Sequence, residues 1–186
     1  MCSSDLTFID LVGEGDTDEP ATHSVVTVRP IEKTGMAANL IREHGPTIVF
    51  VRTREGTDSV CEALRASGVR AASIHGGMSQ GQRERSLESF RRGNVDALVA
   101  TDVAARGIHV DGVELVIHWD IPMDPKDYTH RSGRTARAGS AGTVISLVTD
   151  RQAQRARRIV SKAGITLEDA PAITGERNER GEVRAC

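Results

Sequence analysis

A basic cluster between residues 130 and 137 is the densest group of side chains in this sequence that could do chemistry. It reads His-Arg-Ser-Gly-Arg-Thr-Ala-Arg. His130, Arg134 and Arg137 are four and three residues apart, so on one continuous helix they would share a face and converge on one target. Guanidinium groups donate in a plane that matches phosphate oxygens. The spacing therefore predicts an anion site, and the alternative is a solvated basic face.

Gly133, inside the basic cluster, favours the functional interpretation. A glycine in a helix interior costs about 1 kcal/mol relative to alanine, and Gly139 and Gly142 follow closely. We therefore expect the backbone of this region to approach another group closely.

Polar groups also follow four of the predicted strands. The loops are at 52–54 (Arg-Thr-Arg), 75–77 (His-Gly-Gly), 101–102 (Thr-Asp) and 119–122 (Trp-Asp-Ile-Pro). Threonine hydroxyls, glycine amides and arginines bind phosphates without reading a base. One such loop is ordinary turn chemistry. Four of them at the carboxyl edge of one parallel sheet predict a ligand site, because such sheets bind ligands at that edge.

Short β-branched runs alternate with helical patterns along the chain. We predict strands at 23–29, 47–51, 70–74, 95–100, 113–118 and 143–148, and helices at 32–44, 57–67, 79–92, 124–137 and 150–163. Ser79 with Gln82 forms a capping box. Asp124, which precedes a proline, and Asp150 are predicted N-caps. This alternation predicts an α/β domain with a mostly parallel sheet and helices on both faces.

The composition excludes several classes of protein. The 186 residues carry 24 Lys and Arg against 26 Asp and Glu, a net charge of −2, so a polyanion site must be local. Aromatic residues make up 3%, too few for a platform that stacks bases. Cys2, Cys61 and Cys186 lack metal or disulfide spacing, which favours a reduced, cytoplasmic protein. No apolar run approaches the roughly 20 residues of a membrane span, so we expect no membrane contact.

Charge divides the chain into three segments. Residues 1–22 form an acidic N-terminal segment with six acidic and no basic residues, and residues 2–6 resemble a cloning scar. The other 164 residues carry 24 basic against 20 acidic residues, a charge of +4. We expect a folded lobe at 23–163 and a charged, frayed tail at 164–186, where charges alternate without an apolar period.

Two phosphate-binding motifs are missing. The sequence has no Gly-x-x-x-x-Gly-Lys-Ser/Thr loop and no acidic Mg²⁺-binding motif after a strand. This chain alone therefore lacks the means to hold the β- and γ-phosphates of ATP. In ATP chemistry it would supply only part of the site.

Six ordered motifs resemble those of the C-terminal RecA-like lobe of DEAD-box RNA helicases. They are 48–53 (IVFVRT), 74–80 (IHGGMSQ), 82–85 (QRER), 90–93 (FRRG), 98–107 (LVATDVAARG) and 130–139 (HRSGRTARAG). The resemblance spans residues 23–163, and the run 104–110 (AARGIHV) has a bacterial, actinobacterial style. It implies a RecA-like three-layer α/β fold.

The resemblance also implies a partner lobe. An N-terminal RecA-like lobe, missing from this chain, would bind most of the ATP, the Mg²⁺ ion and the attacking water. The present lobe would complete that site and contact RNA. The full-length protein would be an ATP-dependent RNA helicase, and this chain alone would be a monomer that is inactive and holds no cofactor tightly.

Position within the motifs implies a role for each matching residue. Arg134 and Arg137 resemble the arginine fingers that reach the γ-phosphate. Four residues resemble interlobe contacts or the link between RNA contact and lobe closure: His130, Arg131, Asp102 and Arg106. Four more resemble contacts to the RNA backbone: Thr53, Gly76, Arg83 and Thr101.

Three positions depart from the family pattern. Ser132 and Ala136 stand where the family commonly has Ile and Gly, and we expect both changes to be tolerated. His109 replaces the usual Asp that accepts hydrogen bonds from the ATP ribose. An imidazole would have to take over that nucleotide contact, and it accepts a hydrogen bond only while neutral.

Two other functions fit part of these observations. A non-catalytic RNA-binding module would share the fold but would have no need of Arg134 and Arg137. The second lobe of a DNA translocase has overlapping motifs. Affinities for RNA and DNA of one sequence would separate that lobe from an RNA helicase, because only RNA carries the 2′-hydroxyl.

Overall fold

The computed structural model describes residues 21–106, 110, 112–136 and 141–168. The strands there are β1 (Thr22–Thr27), β2 (Thr47–Phe50), β3 (Ala71–Ile74), β4 (Ala97–Ala100), β5 (Leu115–His118) and β6 (Thr143–Val148). The helices are α1 (Lys33–His44), α2 (Arg54–Ala66), α3 (Gln80–Arg91), α4 (Asp102–Ala105), α5 (Pro125–Ser132) and α6 (Asp150–Lys162), with a 3₁₀ turn at Pro30–Glu32. Every predicted strand is present.

The strands form one sheet in the order β1-β6-β5-β2-β4-β3. All five neighbouring pairs are parallel in the described part of the chain, which agrees with the predicted parallel sheet. The connection that leaves β2 runs toward β3, whereas the one that leaves β5 runs toward β6. A crevice is therefore expected at the carboxyl ends of β2 and β5.

The sheet is buried on both faces. One face packs on α1 and α2 through residues such as Leu40 and Leu64, and the other packs on α3, α5 and α6 through residues such as Phe90, Tyr128 and Ile159. This arrangement confirms the predicted three layers. No helix in the described part is both long and apolar enough to cross a membrane.

Local capping signals set several helix starts. Gln82 N donates to Ser79 Oγ (3.3 Å) and Ser79 N donates to Gln82 Oε1 (2.8 Å), so the predicted capping box is confirmed. Asp124 is confirmed as the N-cap of α5, since its carboxylate accepts from Lys126 N (2.6 Å). The prediction for Asp150 is wrong, because Thr149 holds the N-cap position of α6 and Asp150 lies in the first turn.

The helix predicted over 124–137 ends at Ser132, with Gly133 as its C-cap. Gly133 is therefore not in a helix interior, and Arg134 lies beyond the helix, so the predicted single face that included it is wrong. The chain leaves the helix because it pairs with the segment before β5, where Val113 N donates to Arg134 O (3.2 Å). Gly142 does meet a close neighbour, because a Cβ there would overlap Thr135 Oγ1. Gly139 lies outside the described residues.

Contacts with the sheet continue beyond residue 163, the predicted end of the lobe. Ile165 and Leu167 pack against the core. Glu168 N donates to His23 O (2.8 Å), so this stretch runs beside β1 at the edge of the sheet.

Candidate functional site

Arg131 contacts several other elements at the carboxyl edge of the sheet. It is only 3% exposed. Its Nε and Nη2 donate to the two carboxylate oxygens of Asp102 at 2.5 and 2.7 Å, and its Nη1 donates to Asp120 O at 2.6 Å. The guanidinium also lies over the Phe50 ring, 5.1 Å from its centroid. We call Arg131, Asp102, Asp120 and Phe50 the Arg131 cluster.

The Arg131 cluster connects four separate elements. Arg131 belongs to α5, Asp102 begins α4, Asp120 follows β5, and Phe50 ends β2. A buried guanidinium is tolerated only when its donors are satisfied, and here carboxylate and carbonyl oxygens accept from all three nitrogens. Arg131 therefore fixes the other elements relative to α5.

A second ion pair lies beside the Arg131 cluster. Arg106 Nη2 donates to Asp127 Oδ1 at 2.5 Å, and both side chains are partly open to solvent. A small pocket separates the two ion pairs, and its polar lining consists of Asp102, Arg106, Asp127, His130, Arg131 and Arg134. Five of these residues have a role predicted from the sequence.

The pocket brings its predicted residues together in a different way from the one expected. His130 is exposed on the last turn of α5, and Arg134 is half-buried in the turn that follows the helix. They converge because the chain turns at Gly133, and not because they share a helical face. Arg137 and His109, predicted as an arginine finger and as a ribose contact, lie outside the described residues.

The four residues predicted to contact RNA surround the carboxyl ends of β2, β4 and β3. Thr53 caps α2, where its Oγ1 accepts from Gly56 N (3.0 Å) and so keeps its hydroxyl proton for another acceptor. Thr101 is the N-cap residue of α4 and is buried. Arg83 reaches toward α4, with its Nη2 3.4 Å from Ala104 O. Gly76 is exposed in the loop after β3.

Arg54, predicted only as part of the polar loop at 52–54, adds a cation beside the loop of glycines 76 and 77. A Cβ placed on Gly76 would lie 3.4 Å from Arg54 Nη2, so the exposed guanidinium lies close to the loop of glycines 76 and 77. That loop is ordered by His75, whose Nδ1 accepts from Gly77 N (3.1 Å) and whose Nε2 faces Asp58 (3.0 Å). The signal available in the sequence was the position of Arg54 directly after Thr53, but that signal does not show that the Arg54 side chain reaches the glycine loop after β3.

Lys33 fixes the loop that follows β5. It is almost fully buried, its Nζ donates to Trp119 O at 2.5 Å, and it lies 4.9 Å from the centroid of the Trp119 ring. Burial lowers the pKa of Lys33, and the charge of Asp120 opposes that shift. Asp120 is held from a second side, because its Oδ2 accepts from Arg52 N (2.9 Å). The loop that supplies the carbonyl acceptor for Arg131 is therefore anchored at three points.

The described residues do not fit a metal site of their own. Among them, no three His, Cys, Asp or Glu side chains lie close enough to hold a metal ion. Asp102 and Asp127, the acidic groups of the pocket, are both paired with arginines.

Comparison with known proteins decides the family. The profile described as "Helicase conserved C-terminal domain" matches residues 32–139, more than half of the chain. The chain belongs to this helicase C-terminal family. It is 41% identical over 171 residues to "DEAD-box ATP-dependent RNA helicase 53" of Oryza sativa, covering 89% of this chain and 28% of the relative. It is 44% identical over 123 residues to "ATP-dependent RNA helicase DeaD" of Buchnera aphidicola, covering 66% of this chain and 20% of the relative.

Solved structures agree with that assignment. A DEAD box protein from Methanococcus jannaschii matches this helicase domain with a TM-score of 0.73 and 34% identity, over 79% of this chain and 41% of that chain. Saccharomyces cerevisiae Dbp5 bound to RNA and ADP BeF3 matches with a TM-score of 0.73 and 28% identity, over 84% of this chain and 42% of that chain. The predicted RecA-like fold is confirmed, and this is a C-terminal helicase domain of the DEAD-box type. It spans about a quarter of the length of the curated relatives it matches.

Proposed function

We propose that this domain is the C-terminal lobe of an ATP-dependent RNA helicase and completes a composite ATP and RNA site with a second RecA-like lobe. One observation supports this above all. The pocket is lined by a predicted arginine finger, Arg134, and by the residues predicted to link the two lobes. The four residues predicted to contact RNA lie at or near the carboxyl ends of the neighbouring strands. Thr101 is predicted to contact RNA, and Asp102, the next residue in the sequence, belongs to the Arg131 cluster. Contact with RNA at Thr101 is thereby linked to the ATP-side pocket.

In this proposal Arg131 does not contact ATP. Its three nitrogens already donate to Asp102 and Asp120, so its role is to hold α5 in place. Arg134, at the pocket, is the described residue that would stabilise charge on the transferring phosphoryl group, a role that the family resemblance gives also to Arg137. Bound Mg²⁺ supplies further charge neutralisation in phosphoryl transfer, and its ligands would come from the other lobe.

The first prediction is that the 186-residue chain alone hydrolyses no ATP above background at saturating RNA, because it has no phosphate-binding loop. Steady-state phosphate release measures this. The matched control is a two-lobe chimera in which the N-terminal lobe of a DEAD-box relative precedes this chain, and RNA-stimulated hydrolysis should appear there. Turnover by the isolated chain at the level of an intact helicase would contradict the half-site proposal.

The second prediction concerns Arg83, which should bind an RNA phosphate without reading a base. In the two-lobe chimera, Arg83→Ala should weaken binding equally for RNAs of different sequence. It should also reduce the slope of log affinity against log salt by about 0.7, the value for one phosphate contact on a single strand. Fluorescence anisotropy over a salt series measures both quantities.

Arg85 provides the matched control for that experiment. It carries the same charge on the same helix, but residues two apart lie on different helical faces, so Arg85 points away from the surface that Arg83 shares with α4 and Arg85→Ala should leave the salt slope unchanged. A loss at Arg83 that depends on RNA sequence, or equal losses at both positions, would contradict the phosphate assignment.

We also propose a bacterial, cytoplasmic, monomeric protein. The run 104–110 and the relative from Buchnera support a bacterial source, alongside relatives from plants and fungi. The buried free thiol of Cys61 fits a reducing compartment. The relatives are named as ATP-dependent RNA or rRNA helicases, which does not favour a DNA translocase or a non-catalytic binding module for this chain.

A further inference from the structure

Three polar side chains interrupt the buried sheet face beneath α5. His23 on β1, Ser146 on β6 and His118 on β5 come from adjacent strands and are all buried, His118 and Ser146 completely. The same face is otherwise lined by apolar residues such as Val116 and Val144. Polar groups in such a place destabilise the fold unless hydrogen bonds compensate for their burial.

Tyr128 of α5 connects these three side chains. Its hydroxyl lies 3.1 Å from His23 Nδ1, and its further side-chain hydrogen-bond partners are Ser146 of β6 and Ser132 of α5. Ser146 Oγ lies 3.2 Å from His118 Nδ1, and the Tyr128 ring stands edge-on to the His118 ring with centroids 4.6 Å apart. One tyrosine therefore contacts three neighbouring strands, β1 and β6 through its hydroxyl and β5 through its ring.

The protonation state of His118 decides which group donates in each of these hydrogen bonds. Burial, with smaller contributions from Arg131 and His23, holds the pKa of His118 well below its usual value, so the ring is neutral. Its Nε2 has no partner within the described residues, and an unpaired buried N–H is costly. The ring proton is therefore assigned to Nδ1, which donates to Ser146.

The remaining donors then follow in order. Ser146 donates to the Tyr128 oxygen, and the Tyr128 hydroxyl donates to His23 Nδ1. Burial lowers the pKa of His23, which keeps that imidazole neutral and able to accept. Burial also raises the pKa of Tyr128 to about 12, so the hydroxyl keeps its proton. The Ser146 hydroxyl thus accepts once, from His118, and donates once, to Tyr128.

Because α5 is short, its position depends strongly on the hydrogen bonds that Tyr128 makes. The helix has eight residues, of which Tyr128, Arg131 and Ser132 are the buried ones. Helices this short depend on tertiary contacts for their position. Tyr128 and Arg131 are three residues apart on one face, so the hydroxyl contacts of Tyr128 and the forked contacts of Arg131 together fix the rotation of the helix about its axis.

We propose that Tyr128 is a positioning residue that acts through Arg131. Its hydroxyl, held by His23 and Ser146, sets the rotation of α5 at which Arg131 can form its bidentate pair with Asp102. The Tyr128 hydroxyl thereby also orients two pocket residues that come after it in the sequence, His130 and Arg134. The consequence for catalysis rests on the proposed function, whereas the positioning of Arg131 does not.

The third prediction tests this positioning in the 186-residue chain. Tyr128→Phe keeps the ring and removes the hydroxyl. Proton–nitrogen NMR of the Arg131 Nε–H should show hydrogen exchange about tenfold faster, the change expected when one hydrogen bond no longer holds the paired state. Ile145→Val is the matched control, because it reduces packing on the opposite face of the sheet, away from α5. It should leave this exchange rate unchanged at comparable global stability.

Two outcomes would overturn the proposal. One is an Arg131 exchange rate in Tyr128→Phe equal to that of the unsubstituted chain. The other is an equal acceleration in Ile145→Val, which would show general destabilisation only. If Tyr128→Phe does not fold, Ser146→Ala removes the middle link without altering α5, and an unchanged exchange rate there overturns the proposal.

The two-lobe chimera adds a separate measurement. Tyr128→Phe should lower kcat about tenfold and leave the KM for RNA unchanged, and an unchanged kcat would overturn the link to catalysis. If the unsubstituted chimera has no RNA-stimulated ATPase, the proposed function fails. The NMR result still decides the positioning role of Tyr128 in that case.

Discussion

Arg134→Lys in the two-lobe chimera is expected to lower the kcat of RNA-stimulated ATP hydrolysis by about 10³-fold or more. Arginine fingers contribute about 10³ to 10⁵ in rate, roughly 4 to 7 kcal/mol of barrier, when they neutralise charge on the transferring phosphoryl group. Lysine keeps the charge but lacks the planar fork. Steady-state hydrolysis at saturating ATP and RNA measures the effect, and RNA affinity should change little.

A solvated arginine serves as the control for this substitution. Arg157 lies exposed on α6, on a different helix from the pocket, so Arg157→Lys should leave kcat within about twofold, as expected for a surface change. Arg137→Lys should cause a loss similar to that of Arg134→Lys. A near-normal kcat for Arg134→Lys would contradict the finger role and favour the alternative that the basic cluster is a solvated surface.

Asp102→Ala is expected to destabilise the isolated chain by about 3 kcal/mol. Removing one partner of a buried ion pair leaves an uncompensated charge and costs about 3 to 5 kcal/mol. The lower figure applies because the Asp102 side chain is 28% exposed, whereas that of Arg131 is 4% exposed. Since small domains have only about 5 to 15 kcal/mol of stability, this loss should shift the urea midpoint strongly.

Glu88→Gln is the matched control for the loss of Asp102. It breaks the pair between Glu88 of α3 and Arg92, the C-cap residue of that helix, in which both side chains are at least half exposed. Pairs of this kind contribute about 0.3 to 0.5 kcal/mol. Adding Arg131→Met to Asp102→Ala should restore part of the stability, because the unpaired buried charge is gone. Equal losses for Asp102→Ala and Glu88→Gln would show that the buried pair does not hold α4 against α5.

Several features of this domain could be predicted from sequence because their causes are local. Alternating apolar runs and helical periods place all six strands. The capping box at Ser79 and the Asp124-Pro125 start of α5 depend on neighbours within three residues. The pairing of apolar strands with intervening helices also determines that the sheet is parallel, since parallel strands require long crossover connections.

The end of α5 was predicted wrongly because a distant segment decides it. Helical spacing within the basic cluster favours a helix through residue 137. The structure ends the helix at Ser132, because backbone pairing of the next residues with Val113 replaces further helical hydrogen bonds. The spacing correctly indicated a convergent group, but it gave the wrong reason for the convergence.

The sequence by itself therefore determined the layered parallel fold and which residue types gather at its carboxyl edge. Only the tertiary structure decided which side chains contact each other. Arg131 and Asp102 are 29 residues apart, and they meet because the sheet order places β2 between β5 and β4. The same order places Tyr128 over His23, Ser146 and His118. Strand order depends on the summed packing of both sheet faces, which no local pattern of residues contains.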